Sequence, residues 1–200
     1  MRTSFLTLAL LLALAACAGQ APPPDLFHRI EPAAAARFAK PPLPGVLEVQ
    51  RLATDGVLAE RAITFAIKDN GPLSHYAYDL WSEPPGVMLQ DRLTRFLADA
   101  GAADRVVPPE LGVLADWTLR GKLRRFEHLA DSKRAVVDLE LGVVSSRDGS
   151  LALLEHYSVM VATQSSGVEA AATAMEQAVS QIFAKFLADL GRARTGAPAK

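Results

Sequence analysis

Cys17 is the single cysteine of this 200-residue chain, so neither an intramolecular disulfide nor a thiolate metal cluster is open to it. The four histidines, His28, His75, His128 and His156, stand far apart, and none has a second His, Asp or Glu at the spacing of a familiar metal motif. His156 and Ser158 share a strand face at i and i+2, without a nucleophile elbow or an oxyanion loop, and read as ordinary strand residues. No glycine-rich phosphate loop follows a strand, and nothing resembles a dinucleotide fingerprint. No metal site and no cofactor is expected from these patterns, and no catalytic motif is present, although carboxylates distant in sequence can still converge in a fold and so leave an enzyme open on the residues alone.

The thiol of Cys17 is the one group with assignable chemistry, and its neighbours say what that chemistry is. Arg2 is followed by an apolar run from Phe5 to Ala16. At about twelve residues this run is too short to cross a bilayer, which takes roughly 20. A cation, an apolar core and small residues at the end are the parts of a secretory signal. Leu14-Ala15-Ala16-Cys17 resembles the lipobox, in which the cysteine receives a diacylglyceryl group before cleavage leaves it as the first residue. Several acyl chains such as palmitate, at about 0.8 kcal/mol per buried methylene, hold a protein on its membrane. Ala18 and Gly19 offer no Asp, the residue that tends to retain lipoproteins of enteric bacteria at the inner membrane. The resemblance favours the outer membrane, periplasmic face.

Residues 1–16 carry one of the 21 basic side chains and none of the 22 acidic ones, so the mature balance is net −2. That balance argues against nucleic-acid binding, which needs a basic surface. With no disulfide available, stability must come from an apolar core, and the composition suffices for one domain.

The elements that would form that core are legible from periodicity. Residues 17–45, with Pro22-Pro23-Pro24 and Pro41-Pro42-Leu43-Pro44-Gly45, read as a lipid-anchored Pro/Ala-rich tether, with a short strand at 26–30. Residues 46–191 form the expected globular domain, and 192–200 a tail. Val46–Leu52 and Ile63–Lys68 have strand composition, and Asp69-Asn70-Gly71-Pro72 turns the second of these into Leu73–Leu80. Ser82 is placed to cap a helix carrying Leu89, Leu93, Phe96, Leu97 and Ala100 on one face and closed by Gly101. Trp117–Phe126 and Ala135–Ser145 alternate in phase. Pairing them about Asp131 sets Lys122 opposite Glu140, Arg124 opposite Asp138, Leu123 opposite Leu139 and Gly121 opposite Leu141. Leu151–Thr163 completes a meander. A helix from Val168, ended by Gly191, presents Met175, Val179, Ile182, Phe183 and Phe186 on one face. Burying these faces together predicts an α+β fold, with two amphipathic helices on one side of a mainly antiparallel sheet, in two layers.

Two clusters are candidates for contact with a partner or lipid. Arg120, Lys122 and Arg124, with Arg125, form the compact basic group. It is either a contact for anionic head groups or an acidic partner, or a solvated strand face paired to Asp138 and Glu140. Tyr76, Tyr78 and Trp81 are either interface anchors or core.

Glu60-Arg61, the run Tyr76-Ala77-Tyr78-Asp79-Leu80-Trp81-Ser82-Glu83-Pro84-Pro85, the segment Ala115-Asp116-Trp117-Thr118-Leu119-Arg120-Gly121 and the final helix resemble the ABC-type transport auxiliary lipoprotein family over about residues 26–190. The resemblance implies a non-enzymatic outer-membrane lipoprotein that works with an Mce-type lipid transport system. There it would dock the periplasmic bridge or pass lipid. It also implies an Mce-family protein and an ABC permease/ATPase complex as partners, and a homo-oligomer. Cys17 is the residue whose role carries over. The alternative is a periplasmic scaffold or assembly lipoprotein of another envelope-biogenesis system.

Overall fold

The computed structural model describes residues 22–195. The signal segment 1–16, Cys17 and the last five residues of the tail lie outside them. The described elements run β1 (Leu26–His28), β2 (Leu43–Val49), β3 (Ala53–Thr54), β4 (Ala62–Ala66), β5 (Leu73–Trp81), α1 (Pro85–Ala100), β6 (Ala103–Val107), β7 (Trp117–Leu129), β8 (Arg134–Ser145), β9 (Leu151–Ala162) and α2 (Val168–Thr195). This is an α+β fold in which both helices bury apolar faces.

β7 is the axis of the sheet. One edge pairs along its whole length with antiparallel β8, which pairs in turn with antiparallel β9. The other edge carries three short strands in succession, all parallel to β7: β2 at Trp117–Leu119, β3 at Lys122–Leu123 and β4 at Glu127–Leu129. Beyond β2 lies parallel β6; beyond β4 lie antiparallel β5 and then β1, parallel to β5. The sheet is therefore mixed. The antiparallel part is the meander and the β4–β5 hairpin, and the strands laid on the far edge of β7 run with it because the chain from β2 through β3 to β4 advances along that edge without turning back, its partners moving from Trp117 to Leu129.

The expected register holds for Gly121 opposite Leu141, Lys122 opposite Glu140 and Leu123 opposite Leu139. It fails at Arg124. A bulge between Leu123 and Arg125 adds one residue, so Arg125 and not Arg124 stands opposite Asp138. The β4–β5 turn forms where Asn70 and Gly71 place it, with Asn70 at φ 56° and the Gly71 N–H donating to Lys68 O at 3.0 Å.

α1 buries Leu89, Leu93, Phe96, Leu97 and Ala100 and ends on Gly101 at φ 64°. Its first turn is not capped by Ser82. Pro84 and Pro85 start the helix, where a proline's missing donor costs nothing, and the Ser82 N–H donates to His28 O at 2.8 Å, tying β1 down. α2 lies on β8 and β9, with Met175, Val179, Ile182, Phe183 and Phe186 fully buried. It does not stop at Gly191 but continues to Thr195. A Cβ at Gly191 would come within 2.9 Å of the Phe38 ring, so the glycine serves packing and not termination.

That contact belongs to a second correction. The stretch expected as tether up to residue 45 is packed onto the body from Leu26 onward. Ile30 and Leu43 are fully buried. Arg92 Nε donates to Ile30 O at 2.7 Å, Ala33 N–H to Ser180 Oγ at 3.0 Å, and Phe38 N–H to Ala100 O at 2.9 Å. The segment straps α1 and α2 together. Single apolar residues among prolines and alanines carry no period, which is why composition alone reads it as linker.

Gly121 and Gly142 face different neighbours. A Cβ at Gly121 would lie 2.5 Å from Glu140 O, a backbone atom, with Leu141 and Leu52 also under 3 Å; at Gly142 it would meet the flexible end of Leu154 at 3.2 Å. Gly121→Ala is expected to cost about 1–3 kcal/mol, as overpacking against backbone does, and Gly142→Ala under about 1 kcal/mol. Urea unfolding midpoints of the two variants check this order.

Candidate functional site

The basic cluster lies on the outward side of the meander and is largely neutralised in place. Lys122 pairs with Asp55, Arg124 Nη2 donates to Glu140 Oε2 at 2.7 Å, and Arg125 bridges Asp69 and Glu127. The Arg124 hydrogen bond holds the Glu140 carboxyl below its usual range. The bulge is what brings Arg124 to Glu140 instead of Asp138. His156 Nε2 takes up Asp138 instead. Arg120 differs: it is exposed, stands opposite Gly142, and has no carboxylate partner among the described residues. With Lys122, Gly142, Leu151 and Leu154 it lines a shallow groove of about 250 Å³. One wall is cationic, the floor lacks a side chain at Gly142, and the other wall is leucine.

The aromatic candidates separate. Trp81 is fully buried and packs on Phe126 at 5.0 Å between ring centroids, with the His28 ring at its edge. Of the two readings open to it, interface anchor or core, Trp81 takes the second. Tyr76 is half-buried, against Phe65 at 4.9 Å, with its hydroxyl 2.7 Å from His128 Nδ1. Burial, then the nearby Asp79, push its phenol up, so it stays protonated. Tyr78 is 39% exposed and is the one aromatic of the three open to a partner.

A feature that periodicity misses stands at the start of β7. Leu111, Val113 and Leu114 lie on the connection from β6, and Leu114 is 97% exposed. The clue available in the sequence was an uncharged apolar triplet outside any periodic element, bounded by Pro108-Pro109 and Asp116. At the start of β7 a cavity of about 440 Å³ is lined by Asp116, Trp117, Ser145, Arg147, Asp148 and Ser150, with Pro44 and Gly45. Its walls are fixed. Trp117 Nε1 donates to Pro44 O at 3.0 Å, Val46 N–H to Asp116 Oδ2 at 2.8 Å, and Gly45 N–H to Asp104 Oδ2 at 2.7 Å. Gly45, at φ 86°, leaves the space Asp116 occupies: a Cβ there would fall 2.0 Å from the carboxylate. Hydrogen bonds from the Ser150 N–H and the Ser145 and Ser150 side chains hold Asp148 down at about 2, so it is ionised at any physiological pH. The arrangement presents one exposed cation, Arg147, and a fixed carboxylate beside an indole, which suits polar recognition. Among the described residues no group of three or more His, Cys, Asp or Glu is placed to hold a metal.

His128 is fully buried, its Nε2 has no hydrogen-bond partner, and burial pushes the imidazole below its ordinary value. The folded protein holds this ring neutral, whereas an unfolded chain protonates it near pH 6.5. Its contribution to stability is therefore complete above about pH 6.5 and is lost as pH falls through the folded value. The drop in urea midpoint between pH 7.5 and 5.5 is expected to be smaller in His128→Gln than in the parent; equal drops would show that another group controls it.

The comparisons with known proteins agree with this architecture. The crystal structure of a Xanthomonas campestris protein of the DUF330 family superposes with a TM-score of 0.71 at 21% identity, covering 85% of this chain and 95% of that one. An uncharacterised protein follows with a TM-score of 0.59 at 18% identity, covering 81% and 98%. A hypothetical protein from Chlamydia trachomatis gives 0.51 at 11% identity, covering 76% and 99%. At these identities the likeness is one of fold. No curated protein matches the chain. The family described as ABC-type transport auxiliary lipoprotein component matches residues 27–186, from β1 into the last turns of α2, and the chain belongs to that family.

Proposed function

We propose that this protein is the outer-membrane lipoprotein of an Mce-type ABC lipid transport system, held on the periplasmic face by acyl chains on Cys17. It would dock the periplasmic bridge or pass lipid to it, as a non-enzymatic part. The observation that carries the reading is the family match across the whole folded body, behind a lipobox-like Leu14-Ala15-Ala16-Cys17. Among the described residues no helix is long and apolar enough to cross a membrane, so the acyl chains are the attachment this reading offers. The motor would belong to the partner permease and ATPase. Assembly of several copies is part of the same reading.

Two surfaces suit the docking role. The Leu111–Leu114 loop offers apolar side chains that the fold leaves in water, which is characteristic of a contact site. Arg120 and the groove beside it offer a cation that the fold does not use.

Photo-crosslinkers at Leu114 and Arg120 in the lipidated protein are expected to capture an Mce or permease component, and a crosslinker at Arg95 on α1 none. Cys17→Ser should abolish outer-membrane fractionation and the crosslinks together. Crosslinked material free of any transport component would sink the proposal. A double charge reversal, Arg120→Glu with Arg124→Glu, is expected to reduce capture while changing the urea midpoint little. Undiminished capture would return the basic cluster to the status of a solvated strand face.

A further inference from the structure

The two ends of β7 carry different apolar surfaces, and the chain's own attachment selects between them. At the end of β7 near Leu129 lies the β4–β5 hairpin, with Ile67 59% and Leu73 45% exposed. Beside it runs β1, with Leu26 56% and Phe27 55% exposed, and Tyr78 stands one residue before the β1 partner Asp79. At the other end, twelve strand steps or about 40 Å away, the Leu111–Leu114 loop projects.

β1 is where the chain enters the fold. Between Cys17 and Leu26 there are nine backbone steps, a reach of about 30 Å at full extension. The register places Leu26 opposite Asp79 and Ala62 opposite Leu80, and Thr64 lies opposite Glu127. The entry point is therefore level with Arg125–Phe126, a few residues from the hairpin end and about 30 Å from Trp117. Cations accompany the apolar residues, together with the exposed carboxylates of Asp25, Glu60 and Asp69, the last of them paired with Arg125. The Arg61 guanidinium lies over the Phe27 ring at 4.8 Å, and Arg29 and Lys68, both exposed, have no carboxylate partner among the described residues. Exposed Leu and Phe with an interfacial Tyr, interleaved with Arg and Lys, match the layering of a phospholipid surface: acyl boundary, glycerol and phosphate.

We infer that the edge formed by Leu26, Phe27, Ile67, Leu73 and Tyr78 seats directly on the phospholipid surface that holds Cys17, so that the Leu111–Leu114 loop points away from it. This rests on acylation of Cys17, the part of the proposed function that it deepens. The lipid chains fix the distance, and the edge fixes the orientation.

Acylation leaves an introduced cysteine as the single free thiol, which makes the test direct. Lipidated protein carrying Phe27→Cys, Leu73→Cys or Leu114→Cys is labelled with an environment-sensitive fluorophore. It is then reconstituted in phosphatidylethanolamine/phosphatidylglycerol vesicles containing lipids with a quencher near the glycerol. Labels at 27 and 73 are expected to be quenched by lipid roughly threefold or more over the label at 114, and an aqueous quencher to show the reverse order. Equal quenching at all three positions, or stronger lipid quenching at 114, overturns the inference. So does shielding of 27 and 73 from both quenchers, which would mean that a protein covers the edge. Unlabelled Cys17→Ser protein supplies a second reading: it should float weakly with the same vesicles, and less so with Phe27→Ser and Leu73→Ser added. A vesicle-bound lipoprotein whose labels at 27 and 73 remain aqueous would refute the orientation and leave the anchor standing. Absence of acyl mass on Cys17 with retained flotation of Cys17→Ser would do the opposite.

Discussion

The hydrogen-bond ladder on the two edges of β7 is the constraint on which the rest of this structure depends. β8 satisfies one edge over the full length of the strand. The other edge is satisfied piecewise by β2, β3 and β4, the second of which is two residues long. Unpaired backbone groups buried beneath α1 would be costly, so even a two-residue strand has value there. The division also shapes the molecule. The sheet forks where β2 leads to β6 and β4 leads to β5, and α1 links the two branches by joining the end of β5 to the start of β6. Gln90 Nε2 on α1 donates to Val49 O at 3.1 Å and Leu52 N–H to Gly86 O. The chain between β2 and β3 is thereby closed by the helix where no strand covers it. Gly86 permits that approach, since a Cβ there would lie 2.5 Å from Leu52 O.

What could be foreseen from residues alone follows the length of each periodic run. The meander and both helices were legible because each repeats its pattern over twelve residues or more. Phase agreement between Trp117–Phe126 and Ala135–Ser145 even fixes cross-strand partners as far as Leu123. One extra residue then ends the correspondence: the inward positions pass from Leu123 to Phe126, three apart instead of two, with Arg124 and Arg125 between them, and a strict alternation carried through does not allow for that step. The parallel pairing was not legible for a different reason. β1 and β3 are three and two residues long, and direction of pairing is a property of the partner edge, not of so short a segment. The strap from Ile30 to Leu43 was hidden by its prolines. Its anchoring is done by the buried Ile30 and Leu43, by the Phe38 ring against Gly191 and by backbone hydrogen bonds to Arg92, Ser180 and Ala100, none of which composition registers.

The contact surfaces divide in the same manner. The residues marked by type, the arginines and aromatics, proved to be mostly committed to the fold: Trp81 to the core, Tyr76 to His128, Lys122, Arg124 and Arg125 to carboxylates. Of the residues marked by type, Arg120 and Tyr78 are left exposed. Leu114 and Phe27 are ordinary in type and become candidates by position, because the fold leaves Leu114 in water and Phe27 half exposed even with the Arg61 guanidinium over its ring. A side chain's availability is set by what its neighbours already satisfy, and that is decided in three dimensions.

The strap gives this availability a direction. A lipoprotein attached by a long free tether would sample all orientations over its membrane, and its exposed apolar residues would have no preferred side. Here β1 is fixed by the Ser82 bond to His28 O, by His28 Nε2 with Asp79 Oδ1 at 2.9 Å, and by Arg61 over Phe27. Cys17 stands only nine backbone steps before it, fewer than the residues of β7. Attachment at one end of so short a lead confines the body's rotation, because turning the β1 edge away from the lipid must stretch the lead around the domain. An apolar edge beside the attachment adds to this restriction at small cost, since its residues need only a few methylenes of burial to favour one pose. The Leu111–Leu114 loop then gains its meaning from the opposite end. On the proposed docking role, a contact site for a component that spans the periplasm is useful when held outward from the membrane, and in the inferred pose the distance along β7 between hairpin and loop would hold it there.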